Sequence, residues 1–245
     1  EQPREWIDRI QDGRYAGHPE LGAERYKVAV HLSKGRSAYT FCMCPGGYVV
    51  AATSEPHSAV TNGMSYYARD HINSNSALLV NISPSDFGSS HPLAGVQWQR
   101  IWEKKAYALA GGGYRAPGQT VGDFLANRAS TVFKEVFPTY QPGVTPTNLA
   151  HCLPPYVVNT LREALPLFDR KMNGFTMPGA VLTGVETRSS CPLRILRDEQ
   201  YQSSIRGIYP AGEGAGYAGG IVSSALDGLR VAEAILREVR GCEPG

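Results

Sequence analysis

The pattern of apolar and polar positions changes character twice along the chain. In the first third, short β-branched and aromatic runs are separated by glycine, proline and asparagine, a pattern that predicts strands and turns. Ala38-Tyr39-Thr40-Phe41-Cys42-Met43-Cys44 and Tyr48-Val49-Val50-Ala51-Ala52-Thr53, joined by Pro45-Gly46-Gly47, predict a hairpin. Asn62-Gly63 predicts a second turn, and Ser76 to Ile82 another strand. The middle is helical. Apolar residues at Val96, Ile101, Trp102, Ala106 and Leu109 predict a helix from Leu93 to Ala110, stopped by Gly111-Gly112-Gly113. Thr120-Val121-Gly122-Asp123 has the spacing of a capping box and predicts a helix through Phe124, Leu125 and Ala129. Pro155 to Lys171 reads as a helix with Val158, Leu161, Leu165 and Phe168 on one face, kinked or ended early by Pro166. In the last third, Gly179 to Val185 and Gly207 to Ala211 read as strands. Ser223 to Arg240 reads as an amphipathic helix that buries Leu226, Leu229, Ala232, Ile235, Leu236 and Val239.

This order of elements predicts an α/β (α+β) fold: a mixed sheet with inserted helices, closed by a strand, a glycine loop and a helix. A domain boundary is expected near residue 178, separating 1–178 from 179–245. Composition adds limits. The 245 residues are 42% apolar and 19% charged, with a net charge of +2, which is globular. The charges are scattered, so there is no basic stripe for nucleic acid. No apolar run reaches the ~20 residues a membrane span needs. Five cysteines in a chain of this size predict reduced thiols and a cytoplasmic protein. The opening, Glu1 to Asp12, carries no Met or leader and reads as the interior of a longer protein.

The chemistry concentrates in Gly212-Glu213-Gly214-Ala215-Gly216-Tyr217-Ala218-Gly219-Gly220. Glycines let backbone approach a ligand, and a following helix offers unpaired N–H groups and partial positive charge. A Rossmann fingerprint needs a second strand with an acid ~20 residues on, and only one helix follows here. No Gly-Lys-Ser/Thr closes the run as a P-loop. Ile208-Tyr209-Pro210-Ala211-Gly212-Glu213-Gly214 resembles the last FAD-binding motif of the glutathione-reductase-like flavoprotein superfamily. Three further strings occur in the same order: Phe41 to Gly47, Thr61-Asn62-Gly63-Met64-Ser65, and Gly184-Val185-Glu186-Thr187-Arg188-Ser189-Ser190-Cys191-Pro192. Together they resemble a group of bacterial FAD-dependent dehydrogenases over nearly the whole chain.

The resemblance implies an oxidoreductase that binds FAD and a small-molecule substrate, with NAD(P)H as a candidate electron donor. It implies that Glu213 takes a ribityl hydroxyl, in place of the more usual Asp. It also implies that Gly212, Gly214, Ala215, Gly216, Gly219, Gly220 and Ile221 line the cofactor, with Asn62 and Glu186 near the flavin ring. Members of the group carry an N-terminal dinucleotide-binding unit that this sequence lacks. The chain alone is therefore expected to be inactive and to bind FAD weakly. Arg188 reads either as a fork for substrate or flavin, or as a loop-fixing ion pair. Cys42 and Cys44 lie at the spacing that puts two side chains on one strand face, as buried thiols, a redox pair or soft-metal ligands. Two other classes remain open: a non-flavin module binding a small anion or nucleotide, and a thiol or metal protein built on Cys42, Cys44 and Cys191. No metal-ligand spacing is evident.

Overall fold

A computed structural model describes residues 1–18, 20–23, 25–33 and 35–241. The architecture is α+β, and the chain divides into two compact units. The first is Glu1–Ser83 with Arg100–Thr187, and the second is Pro84–Gln99 with Arg188 onward.

The first unit begins with a short strand β1 (Gln2–Pro3) and helix α1 (Arg4–Asp12). Strands β2 (Ala29–His31), β3 (Ser37–Cys44), β4 (Tyr48–Ala51), β5 (Thr61–Met64) and β6 (Asn73–Val80) follow. Four of these form an antiparallel sheet in the order β1-β6-β3-β2, and β4 pairs with β5 alone. Helix α2 (Ala94–Leu109) leads to β7 (Ala116–Thr120), α3 (Val121–Leu125), β8 (Val144–Pro146), α4 (Pro155–Lys171) and β9 (Val181–Thr183). β7 lies between a parallel β8 and an antiparallel β9.

Helix α4 covers the β2–β3–β6 face. Val158, Leu161, Leu165 and Phe168 are buried as their spacing predicted, and they meet Val28, Val30, Ala38 and Phe124. Pro166 does not end the helix, which continues to Lys171. Its ring is exposed, while Leu165 and Phe168 on the covered face hold the last turns to the sheet.

Several local expectations are corrected. β3 and β4 exist, but they are not a hairpin: β3 pairs with β2 and β6, and β4 with β5. Asn62-Gly63 is not a turn but the middle of β5, opposite Val50 and Val49. Thr120 caps α3 by accepting the Asp123 amide at 3.2 Å. The Asp123 carboxylate does not reach back to close the box. It accepts instead from Ser130 and Arg128, while Ser130 Oγ accepts the Thr120 amide. The helix therefore stops at Leu125, and Asn127 turns the chain at φ 54°.

The second unit holds α5 (Ile221–Gly241) and the segment before it. Gly207–Ala211 forms no strand. Its carbonyls bond to side chains and turns instead, Pro210 O to Arg197 Nη1 and Ile208 O to the Ser203 amide. On α5 only Val231 is buried among the described residues, and Leu229 and Val239 are more than 60% exposed. The face predicted to be buried has no covering element among those residues.

Phe168 is fully buried where α4 meets the sheet, edge-on to Phe175. Phe168→Ala is expected to destabilise the chain by about 3–5 kcal/mol in chemical denaturation.

Candidate functional site

The predicted site residues fall in different units. Cys42, Cys44, Asn62 and Glu186 belong to the first, and Arg188 and Gly212 to Ile221 to the second.

In the first unit the geometry begins with a bulge. Phe41 faces Ala77 across β6, and Cys44 faces Asn75, so three steps along β3 match two along β6. The extra residue reverses the side-chain alternation. Cys42 takes a φ of 45°, in the left-handed region, and is exposed, whereas Cys44 is half-buried. A left-handed residue with a β-carbon costs roughly 1 kcal/mol. The flat-strand expectation that both thiols share one face is thus overturned. Cys44 Sγ instead turns back to 3.2 Å from the Cys42 carbonyl oxygen.

Strand β5 presses against this bulge. A β-carbon on Gly63 would overlap Asn75 Oδ1 and lie 3.1 Å from Cys44 Sγ, so only glycine fits. Asn75 is 4% exposed, and its Nδ2 has no hydrogen-bond partner among the described residues. A buried amide donor left in this state is costly unless a ligand or water completes it. Asn62 is exposed, and its Oδ1 accepts the Gly63 amide at 2.7 Å. The Pro45-Gly46-Gly47 turn offers no amides to a ligand: Gly46 N–H donates to Ser74 Oγ and Gly47 N–H to the Asn73 carbonyl.

Glu186 completes the cluster. The Thr61 amide of β5 donates to the Val185 carbonyl, which fixes the chain beside β5. One residue on, Thr187 Oγ1 donates to Glu103 Oε1 at 2.7 Å, from a wholly buried carboxylate on α2. Glu186 is thus held between two anchors. Burial raises its carboxyl to about 7, and its charge acts on Cys44. Burial likewise pushes the Cys44 thiol up to about 11, with Cys42 and Glu186 adding to the shift and the Ser65 hydroxyl opposing it. A carboxyl poised near neutrality beside a thiol and an unpartnered amide has the signature of a functional site.

In the second unit the glycine run splits into two halves. Arg197 and Asp227 form a two-pronged ion pair at 2.7 and 2.9 Å. Asp227 also accepts the Gly212 amide, and Arg197 donates to the Pro210 carbonyl, so the start of the run is pinned to α5. The Arg197 hydrogen bond holds the Asp227 carboxyl at about 2. Arg197 also stacks on Tyr217 at 3.6 Å, and the Tyr217 hydroxyl donates to the Ile195 carbonyl. Gly216 is sterically required, because a β-carbon would overlap Leu193 O. Gly214 has open space around it, and Gly219 and Gly220 enter α5, whose first residues Ile221 and Val222 are 87% and 80% exposed. Glu213 is half-buried in the turn and Ala215 is buried. Arg188 is half-buried.

Cys191 is half-buried in the second unit and Cys152 buried in the first, while Cys242 lies outside the described residues. Among the described residues no three His, Cys, Asp or Glu side chains gather to hold a metal ion. Among the same residues no helix is long and apolar enough to cross a membrane.

Residues 1–189 match the family described as FAD-dependent protein, C-terminal domain-like, and the chain belongs to that family. It is 49% identical over 240 residues to an uncharacterized protein of Clostridium beijerinckii. The alignment covers 97% of this chain and 45% of that relative, so the chain spans under half of the relative's length. The matched family segment contains Cys42, Cys44, Asn62, Glu186 and Arg188 and stops before the glycine run.

Asn75, Glu103 and the Arg197–Asp227 pair were not singled out from sequence. Asn73-Ser74-Asn75 carried a usable signal: three small polar residues leading into an apolar strand, all of them buried. The ion pair joins residues 30 apart and left no local trace.

Two substitutions test this geometry. Gly63→Ala should destabilise the chain by about 2–3 kcal/mol, measured by thermal unfolding, because the buried Asn75 side chain must shift to admit the methyl group. Glu186 should show the opposite sign. Its folded carboxyl is raised, so its contribution to stability is complete below the ordinary 4.5 and is lost as pH rises through about 7. Glu186→Gln should therefore match the parent near pH 4 and exceed it by on the order of 2 kcal/mol above pH 7.

Proposed function

We propose that this chain is the substrate-side part of an FAD-dependent oxidoreductase. In this reading residues 1–178 form the substrate-side domain, and 179–245 are the C-terminal portion of an FAD-binding domain of the glutathione-reductase-like type. Membership of an FAD-dependent family supports it. The observation that carries it is the exposed apolar face of α5, which follows directly on the glycine loop. A solvent-exposed apolar stripe on a 21-residue helix marks a surface completed by another element. In the longer protein that element is the dinucleotide-binding part.

The residues fit the cofactor. Gly214 and Gly219 leave room for close approach, and the start of α5 favours a pyrophosphate or the pyrimidine edge of a flavin. Glu213 takes a ribityl hydroxyl, Gly212, Ala215 and Gly216 shape the turn, and Ile221 opens the helix beneath the ring. Bound FAD supplies hydride acceptance. In the first unit Glu186 holds or releases a proton, Asn75 donates a hydrogen bond and Asn62 is a candidate for flavin contact; in the second unit Arg188 is a candidate for flavin or substrate contact. The electron donor or acceptor is a small molecule, with NAD(P)H as the first to test, and the protein is cytoplasmic.

The test is flavin titration. The 245-residue chain, followed by flavin fluorescence quenching, is expected to bind FAD weakly or not at all, and the longer protein stoichiometrically. Isolation of this chain with one tightly held flavin per molecule contradicts the division of the site. Tight binding of ADP or phosphate without any flavin affinity in either form points to the anion-binding alternative.

A further inference from the structure

The bulge at Cys42 gives the two thiols unequal surroundings. Cys42 is exposed and held at a φ of 45°. Cys44 is half-buried, with its sulfur turned back onto the Cys42 carbonyl. In a flat strand, cysteines two apart have Cα atoms about 6.6–6.8 Å apart and side chains in parallel, at the outer limit for a disulfide. The bulge removes the parallel arrangement. An exposed thiol beside a shielded one is the layout of an attacking and a resolving cysteine.

We propose that Cys42 and Cys44 are a reversible dithiol that exchanges with low-molecular-weight disulfides, with Cys42 attacking, Cys44 resolving and Glu186 accepting the Cys44 proton. The Cys42 thiolate attacks one sulfur of the incoming disulfide. That S–S bond breaks, a mixed disulfide forms, and the first thiol leaves with the proton that Cys42 gave up. Cys44 then passes its proton to the Glu186 carboxylate and attacks the Cys42 sulfur. The ring disulfide closes, and the second thiol leaves with the proton relayed from Glu186. Two protein thiols are oxidised, and one disulfide is reduced to two thiols.

The groups that bear on Cys44 are Cys42, the Ser65 hydroxyl, Glu186 and the Tyr26 phenol. Burial raises the Cys44 thiol and the Tyr26 phenol well above neutrality, to about 11 and about 12. Only Glu186 is poised to take a proton near neutral pH, because burial lifts its carboxyl to about 7. Asn75 lies across the ladder from Cys44, with its buried Nδ2 lacking a hydrogen-bond partner among the described residues. The exchange needs no flavin, so it stands or falls apart from the function proposed above.

The probe is oxidised glutathione, added to the 245-residue chain, followed by alkylation, tryptic digestion and mass spectrometry. The peptide Ser37–Arg69 holds Cys42 and Cys44 and no other cysteine. It is expected to lose two hydrogens and to escape alkylation. In Cys44→Ser, the same peptide should carry one glutathione on Cys42. In Cys42→Ser, Cys44 should be alkylated only after denaturation. In Glu186→Gln, the mixed disulfide on Cys42 should persist at least about tenfold longer at pH 7, with closure recovering as pH rises. A doubly alkylated peptide from the parent chain overturns the dithiol. So does a glutathione adduct that never closes, and this result needs no variant. Closure at the parental rate in Glu186→Gln overturns the role of Glu186.

Discussion

The ladder between β3 and β6 is the constraint on which the first unit depends. β6 lies between β1 and β3, and α4 is packed on the face they share. Because side chains alternate every residue, inserting one residue after Phe41 decides which groups face which. It sets Cys44 opposite Asn75 and pushes Cys42 into the left-handed region. The same insertion forces glycine at position 63, where β5 closes on both Asn75 and Cys44. One extra residue thus brings together a thiol, an amide and a close strand crossing that come from three separate stretches of sequence.

The two units treat buried charge in opposite ways. Arg197 and Asp227 satisfy each other, and the pair also gathers the Pro210 carbonyl and the Gly212 amide. That arrangement favours the charged forms and stabilises a loop. Glu186 is half-buried, with desolvation as the sole cause of its shift, so its neutral form is favoured up to about pH 7. Nothing in packing requires a carboxyl there, and an amide of equal size would avoid the cost of ionisation. A group that costs stability without improving packing belongs to chemistry more than to folding. Glu103 reinforces this, since its wholly buried carboxylate accepts the Thr187 hydroxyl and holds the chain next to Glu186.

Elements whose partners lie nearby in sequence were legible, and those decided by distant contacts were not. Helix α4 came out at Pro155–Lys171 because its apolar face repeats at helical spacing. The stop after Leu109 followed from three glycines, all of which take positive φ. The Pro45–Gly47 turn is present, but β3 and β4 diverge on either side of it, because β3 pairs with β2 and β6 while β4 pairs with β5. Asn62-Gly63 has the composition of a turn, yet Gly63 is there to avoid Asn75 and Cys44, a reason that lies in other strands. Of the site, the thiols and Glu186 were marked by their chemistry. Asn75 was passed over because a buried asparagine in a strand looks like any polar strand residue until its neighbours are known.

The same distinction bears on the glycine run. Counting glycines treats all of them as ligand contacts, but two have internal explanations. Gly216 is excluded from bearing a side chain by the Leu193 carbonyl, and Gly212 sits at a φ of 67° with its amide committed to Asp227. Those two keep the loop in shape. Gly214 meets no atom where a β-carbon would stand, and Gly219 meets one only at ordinary contact distance. Internal packing does not require glycine at these two positions. They adjoin the exposed start of α5, where Ile221 and Val222 face solvent. In the function proposed above, the part of the run that internal contacts leave for a cofactor is thus Gly214, Gly219 and the first turn of α5, and not the full nine-residue run.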